Sequence, residues 1–275
     1  MRRSRKARGY ALITVLWMGL GLLLGASAFL SGARQEALGA RAEIEATRAL
    51  ELARSGLNMA LADLGRIGDG MPVGPRDGTP VELTMAEGKV RYAIRDENGK
   101  IDVGNAPVEL LRPVLTIVGE EAGFDAFDAS NIADALISRR RSEGGRAASL
   151  PDILSDVGLS PEAADVARQY LTTFNFTAQV NPRTAPPAVL AAIPGLGPGD
   201  IEDIVVRRQT GRPMPRMGSA SVWLVERQGP VYTIDAEATL AGGARAVMSV
   251  RVVRRGLSFR GGRMIFDVLE TRIVR

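Results

Sequence analysis

A long stretch without charge near the N-terminus constrains this chain more than any other feature. Residues 9–33 contain no Asp, Glu, Lys or Arg, and the segment before them carries five basic residues and no acid. As a helix, residues 10–30 would be about 30 Å long, which matches the hydrocarbon core of one bilayer. Basic residues on the N-terminal flank favour a cytoplasmic N-terminus. The sequence therefore predicts one membrane-spanning helix over 10–30, with the remaining chain on the other side of the membrane.

Three kinds of N-terminal segment share this pattern: a plain membrane anchor, a secretory signal peptide and a type IV prepilin leader. Ala26-Ser27-Ala28 fits the small-x-small cleavage site of a signal peptide. A prepilin leader would instead be cut between Gly9 and Tyr10, which leaves the apolar run on the mature chain. The basic segment that ends in Gly resembles the prepilin pattern.

The residues after the apolar run favour the prepilin leader, because helical spacing continues where a signal peptide is usually followed by an unrelated start. The apolar positions fall at i, i+3, i+7, i+10, i+11 and i+14 on one helix face: Leu50, Ala53, Leu57, Ala60, Leu61 and Leu64. We predict a leader over 1–9 and a single helix over 10–66, roughly 80 Å long. Half of this helix would lie in the membrane and half would be amphipathic.

The composition argues against an enzyme and against a nucleic-acid binder. The chain has no His and no Cys, which removes Ser-His-Asp triads, Cys-His pairs and the common zinc sites. No carboxylate pair stands out, and Lys6, Lys89 and Lys100 lie in no recognisable catalytic motif. The net charge is +4, and removing the five basic residues before Tyr10 would leave −1. We expect no enzymatic activity, no cofactor and no nucleic-acid partner.

Alternating patterns predict an antiparallel sheet in two separated parts of the chain. Residues 81–85 and 90–94 alternate on either side of a Glu87-Gly88 turn, and Asn98-Gly99 turns the chain into a strand at 101–103. The later strands are predicted at 222–225, 231–240, 244–254 and 265–274, with Gly242-Gly243 as a hairpin turn. The predicted β domain therefore consists of residues 76–103 and 216–275.

The sequence between these two parts predicts helices. Predicted helices cover 109–118 and a segment ending near Arg140 that Ser130-Asn131 would cap. Two further helices begin after Ser149 and Ser160, each with Pro close behind the cap. The sequence thus predicts an α+β fold, in which an all-α module over 104–212 is inserted into the sheet domain.

A weak internal repeat brackets this module. Residues 100–111 align with residues 179–190, and each copy has an extended segment, a turn carrying Asn and a helix that opens at Ala-Pro. The second copy continues through a Gly-rich turn at 193–200 into another helix, which is the shape of a helix-hairpin-helix. Such a hairpin can bind DNA phosphates or simply pack helices. Asp200, Glu202 and Asp203 would repel DNA, so packing is favoured.

Together these segments resemble the general secretion pathway protein K family, the large minor pseudopilins of the type II secretion system. The resemblance runs up to Arg208 and is carried by Arg8 to Leu16, by 99–112, by Ser149-Leu150 with 158–162 and 170–172, and by 180–195. It implies a pilin-like membrane helix packed on an antiparallel sheet, with an inserted helical domain. It also implies a single-pass bacterial inner-membrane protein with a periplasmic C-terminal domain.

The resemblance further implies a role and partners. Such a subunit sits at the tip of the periplasmic pseudopilus and helps initiate its assembly for protein export across the outer membrane. Its partners would be I- and J-type minor pseudopilins, a prepilin peptidase and the inner-membrane secretion machinery. The alternative is a minor type IV pilin or DNA-uptake protein that uses the helix-hairpin-helix.

This sequence differs from major pilins at one position and from calcium-binding relatives in one segment. Major pilins carry Glu at the fifth mature position, where this chain has Thr14, and lack of that acid is typical of the K subunit. Some relatives bind calcium in the helical module, but residues 138–141 are Ser-Arg-Arg-Arg where acidic turns are expected. Asp125, Asp128 and Asp134 remain, although their spacing is not that of a calcium loop. We make no metal assignment, and the ligands of any calcium ion stay undefined.

Overall fold

The computed structural model describes residues 6–66, 74–123, 126–142, 149–257 and 264–274. Its first element is a single helix, α1 (Lys6–Leu64), which is about 88 Å long at 1.5 Å per residue. Apart from two glycines of intermediate exposure, all residues of 13–48 are exposed. Burial starts at Ala49 and continues along one face to Leu64. The helix thus has an exposed half and a packed half, and these two names are used below.

The packed half of α1 lies on a five-stranded antiparallel sheet. The strands are β1 (Val81–Met85), β2 (Gly88–Asp96), β5 (Val231–Leu240), β6 (Arg245–Leu257) and β7 (Met264–Val274), in the order β1-β2-β5-β6-β7. The β5–β6 hairpin turns at Gly243, which has a positive φ of 89° and donates its N–H to the carbonyl of Leu240. One face of this sheet and α1 enclose an apolar core that includes Ile94, Tyr232 and Val252.

The chain between β2 and β5 forms a second unit with its own core. Its helices are α2 (Val108–Ala122), α3 (Ala126–Ser142), α4 (Leu150–Asp156), α5 (Pro161–Tyr170), α6 (Pro187–Ala191) and α7 (Pro198–Gln209). The predicted caps of α4 and α5 are confirmed, because the hydroxyls of Ser149 and Ser160 accept the backbone N–H groups of Asp152 and Ala163. The core residues run from Ile101 to Leu224, beyond the predicted limits of 104 and 212.

The strand predicted at 101–103 does not extend the main sheet. It forms β3 (Ile101–Asp102), which pairs in parallel with β4 (Leu171–Thr172) in a separate two-stranded sheet. A short 3₁₀ turn at 97–99 redirects the chain after β2, so the third strand of the predicted meander leaves the sheet. β3 and β4 lie together where the helical module joins the sheet domain.

Two further sequence predictions are wrong. α3 begins at Ala126, so Ser130 and Asn131 lie inside the helix and do not cap it. Ala129 is buried in the module core and carries the helix upstream of those polar residues. The strand predicted at 222–225 is the end of a 3₁₀ helix (Gly218–Trp223) followed by one parallel bridge at Leu224. Ala220, Trp223 and Leu224 pack on the module, a spacing typical of a helical turn.

Candidate functional site

The exposed half of α1 presents a long apolar surface to its surroundings. It is the one described helix long and apolar enough to cross a membrane, and its apolar window has no buried residue. The large exposed apolar side chains are Ile13, Val15, Leu16, Trp17, Met18, Leu20, Leu22, Leu23, Leu24, Phe29, Leu30, Leu38 and Ile44. A patch of this size is far larger than soluble monomers normally expose. It is suited to lipid or to the helices of other membrane subunits.

The predicted processing residues lie at the start of this helix. Gly9 and Tyr10 fall in the second turn of α1, and Thr14 follows them with its side chain exposed. Residues 1–5 of the predicted leader lie outside the described residues. Cleavage after Gly9 therefore stays a prediction, and it would leave a mature chain that starts at Tyr10.

A buried polar junction joins the sheet to the helical module. Glu97 is completely buried, and its carboxylate accepts hydrogen bonds from Lys100 Nζ at 2.7 Å, Thr233 Oγ1 at 2.7 Å and Thr172 Oγ1 at 2.5 Å. Lys100 Nζ also donates to the carbonyl of Arg168, at 3.1 Å. These bonds link the end of β2 to β5, β4 and α5. The arrangement satisfies each buried group and exposes no reactive atom, so it holds the two units together.

Electrostatics favour the charged form of Glu97. Burial raises its pKa, but the positive charges of Lys100 and Arg251 and the hydrogen bonds from Lys100 and Thr172 outweigh that effect and hold the pKa below its usual value. Its neighbour Asp96 has the opposite shift, since burial raises its pKa more than its hydrogen bonds lower it. Sequence analysis missed both residues, because Asp96-Glu97-Asn98-Gly99-Lys100 has the composition of a solvated turn.

The internal repeat forms two equivalent turns. In the first copy, Asp102 Oδ1 accepts the N–H of Gly104 at 2.8 Å. In the second copy, Asn181 Oδ1 accepts the N–H of Arg183 at 3.1 Å. The carbonyls of Asp102 and Asn181 then accept the N–H groups of Ala106 and Ala185. The repeat is therefore real, and Asp102 holds in the first copy the position that Asn181 holds in the second. Asn181 also donates to Asp96, which ties the second copy to the junction.

The predicted helix-hairpin-helix is formed by α6 and α7, and several of its polar groups are engaged within the chain. Asp200 accepts the backbone N–H of Gly197 at 2.8 Å, which occupies a donor that a phosphate would need. Arg207 pairs with Asp203 at 2.8 Å, and Arg208 donates to the carbonyl of Ala185 at 2.9 Å. These contacts favour the packing interpretation over DNA binding.

The acidic residues considered for calcium do not converge in the described structure. The carboxylate of Asp134 lies 3.9 Å from the guanidinium of Arg112. Asp125 and the side chain of Asp128 lie outside the described residues. Within the residues that are described, no three His, Cys, Asp or Glu side chains form a group able to hold a metal ion.

These features define the class of the fold. A long helix, apolar and exposed in its N-terminal half and packed in its C-terminal half on an antiparallel sheet, is a pilin-like architecture, here interrupted by a helical module. No family model and no curated protein matches the sequence. The structure, however, is similar to a chain of the GspK-GspI-GspJ complex from the enterotoxigenic Escherichia coli type 2 secretion system.

This similarity extends over most of both molecules. It has a TM-score of 0.51 at 15% sequence identity, and it covers 86% of this chain and 99% of the chain in that complex. The α+β fold predicted from the sequence is confirmed. The chain has a GspK-like pilin fold with an inserted helical module.

Proposed function

We propose that this chain is a minor pseudopilin of a type II secretion system. The observation that carries the proposal is the GspK-like fold, in which a helical module interrupts the pilin sheet. The exposed half of α1 supports it, because an apolar helix of this length suits a subunit that is anchored in a membrane. On this proposal the N-terminus is cytoplasmic and the sheet and module are periplasmic.

The proposal includes maturation and position. A prepilin peptidase would cut after Gly9 and leave Tyr10 as an N-methylated terminus. Thr14 would then occupy the fifth mature position, where major pilins use Glu to pair with a neighbour's terminal amine. A carboxylate in lipid is costly unless it is paired, so a subunit with no neighbour above it gains nothing from one. This supports a place at the tip of the pseudopilus, where the subunit would help initiate assembly.

The proposed partners are I- and J-type minor pseudopilins, by analogy with the complex named above. We propose no catalytic role and no cofactor for this chain. The charged groups of the junction support this view, because Glu97 and Lys100 are buried and saturated by contacts within the chain.

Deletion of the gene tests the proposal. Export of the enzymes secreted by the type II system should stop, and uptake of transforming DNA should be unchanged. The full-length chain, extracted in detergent, should co-purify with the I- and J-type subunits of the same cell. Loss of DNA uptake with intact secretion would overturn the proposal and favour a minor type IV pilin or DNA-uptake protein.

A further inference from the structure

The five-stranded sheet has two edges, and they differ in length and composition. β1 forms one edge, has five residues and begins directly after Pro80. β7 forms the other edge, has 11 residues and contains neither Pro nor Lys. The free N–H and C=O groups of an edge strand can bind another strand, and natural proteins commonly prevent this with a short strand, Pro or Lys. β1 is therefore a poor template for a further strand, and β7 is a long one.

The backbone of β7 pairs with another strand on one side only within the described residues. Its partner is β6, in antiparallel register from Met264 to Val274, with one bulge at Leu269. All residues from 267 to 273 are exposed. In an antiparallel ladder the N–H and C=O groups of alternate residues point to opposite sides, so about half of the β7 amides point to the free side.

The two faces of β7 differ in polarity. On one face the charged side chains are paired within the chain: Asp267 with Arg255, Glu270 with Arg251, and Arg272 with Asp165. On the other face, Val268 and Ile273 lie opposite Val252 and Met248 of β6, which are buried under α1. Val268 is 60% exposed and Ile273 is 41% exposed. The apolar face of the sheet thus continues onto β7, beyond the area that α1 covers.

The direction of β7 relative to α1 limits which strand can pair with it. A Cβ built on Gly65, directly after α1, would lie 3.6 Å from the Cβ of Met264, where β7 begins. A Cβ built on Gly242, in the β5–β6 turn, would lie 3.5 Å from Oε1 of Glu45. β6 therefore runs in the direction of α1, and β7 runs against it. Two copies with antiparallel β7 strands would have α1 helices pointing in opposite directions, whereas helices with the same flanking charges enter a membrane in the same orientation.

We propose that β7 binds an edge strand of a different pilin-like subunit, which pairs antiparallel with it and extends the sheet. This inference rests on the function proposed above, in which I- and J-type pseudopilins are the partners. A partner whose membrane helix is parallel to α1 must supply an edge strand that runs in the direction of its own helix, and β7 of a second copy does not. Main-chain hydrogen bonds hold such a strand, and its apolar side chains cover Val268 and Ile273.

Amide hydrogen exchange of the full-length chain in detergent tests the pairing. The chain is measured alone and in complex with the co-purified I- and J-type subunits. We expect about half of the amides of residues 264–274 to exchange at least about tenfold more slowly in the complex, because a paired amide exchanges only when the strand opens. The amides of residues 81–85, at the β1 edge, are the control and should be unchanged. Unchanged exchange in β7, or equal protection of both edges, would overturn the inference.

Matched variants test the same edge. Val268→Lys places a charge in the apolar part of the proposed contact and should weaken complex formation at least about tenfold. Leu83→Lys places the same charge on β1, where Leu83 is 36% exposed, and should leave complex formation unchanged. An unchanged melting temperature identifies variants that remain folded, and the exchange measurement on the wild-type chain needs no variant. Equal complex formation by the two folded variants would contradict the inference.

Two further outcomes separate this inference from the proposed function. Because the chain has no Cys, Val268→Cys reports directly on contacts between copies. A disulfide-linked homodimer of this variant in membranes would identify a second copy as the occupant of β7 and overturn the inference. A wild-type chain that forms no complex with I- and J-type subunits would overturn the proposed function as well. A complex in which β7 stays unprotected would overturn the inference alone.

Discussion

The two halves of α1 belong to one unbroken helix, but their side chains differ in burial and in size. The exposed half presents large apolar side chains such as Trp17, Leu23 and Phe29 to its surroundings. The packed half places several small residues on the sheet: Ala49, Ala53, Gly56 and Ala60 are buried there, beside the larger Leu52 and Leu64. Large side chains suit a surrounding of lipid, whereas small ones let the helix approach β-strands closely.

This contrast explains why a helix of about 88 Å can be stable in a chain that packs only its C-terminal end. Packing on the sheet fixes the packed half, and helix propagation from it is favourable once a first turn exists. The exposed half gains little from the protein itself. Lipid or neighbouring helices would have to supply its burial, and its first part, residues 13–33, carries no charge.

The largest expected effect concerns the exposed half and its leader. Gly9→Leu should block cleavage, because a prepilin peptidase requires a small residue at this position, and secretion should be lost. The five basic residues would then stay at the cytoplasmic membrane face and hold the helix in the lipid. Intact-mass analysis of the chain from membranes measures the processing.

Gly19→Leu is the control, since Gly19 has open space around it and lies away from the cleavage site. It should be processed normally. A wild-type chain that begins at Phe29 would indicate a signal peptide, and one that begins at Met1 or Arg2 would indicate a plain anchor. Either result would contradict the pseudopilin proposal and the comparison built on it.

The second largest expected effect concerns the buried ion pair between Glu97 and Lys100. Glu97→Gln should destabilise the chain by about 3–5 kcal/mol, because it leaves the buried ammonium of Lys100 without its carboxylate. Glu226→Gln, which breaks an exposed pair with Arg183, should cost less than about 1 kcal/mol. Urea unfolding of the full chain in detergent provides the measurement.

The pH dependence of that difference follows from the lowered pKa of Glu97. A carboxyl whose folded pKa is depressed stabilises the fold at pH values above its ordinary pKa of 4.5, and this contribution is lost as the pH falls through the folded value. The stability difference between wild type and Glu97→Gln should therefore shrink below about pH 4. A difference that grows on acidification would contradict this assignment.

The third prediction compares the same substitution in the two halves. Leu64 is 1% exposed, so Leu64→Ala should cost about 2–5 kcal/mol of stability. Leu38 is 64% exposed, and Leu38→Ala should change stability by less than about 0.5 kcal/mol. Both variants are compared by unfolding in the same detergent. Equal losses would mean that the exposed half packs on the protein after all.

The smallest expected effects come from Gly→Ala in each half. A Cβ at Gly56 would lie 2.5 Å from Cγ1 of the buried Val90, so Gly56→Ala should destabilise by about 1–3 kcal/mol. A Cβ at Gly39 meets nothing within 4 Å, and Gly39→Ala should stabilise the helix by up to about 1 kcal/mol. In thermal unfolding, the two variants should shift the melting temperature in opposite directions. Shifts in the same direction would contradict the distinction between the two halves.

Much of this architecture could be predicted because the local spacing of apolar residues along the sequence indicates it. The apolar run and the i, i+3, i+7 spacing define α1, and alternation with Gly turns defines β1, β2, β5 and β6. Ser149 and Ser160 were recognisable as caps because each precedes Pro and an acid. The elements with strong local signals therefore lie close to their predicted limits.

The rest depends on tertiary contacts that no local pattern contains. β3 leaves the predicted meander because β4, about 70 residues later, offers it a partner. Glu97 and Lys100 look like surface residues and are buried because Thr172 and Thr233 arrive from distant segments.

The hydrogen bonds between the two ends of the helical module have a mechanical consequence. Asn98 donates to the carbonyl of Arg227, and the N–H of Gly229 donates to Asp96, so the chain enters and leaves the module at one place. A pull along the axis of α1 is transmitted by shear between the packed half and strands β2, β5 and β6. The load bypasses the module, which can vary in size without weakening the connection between the helix and the sheet.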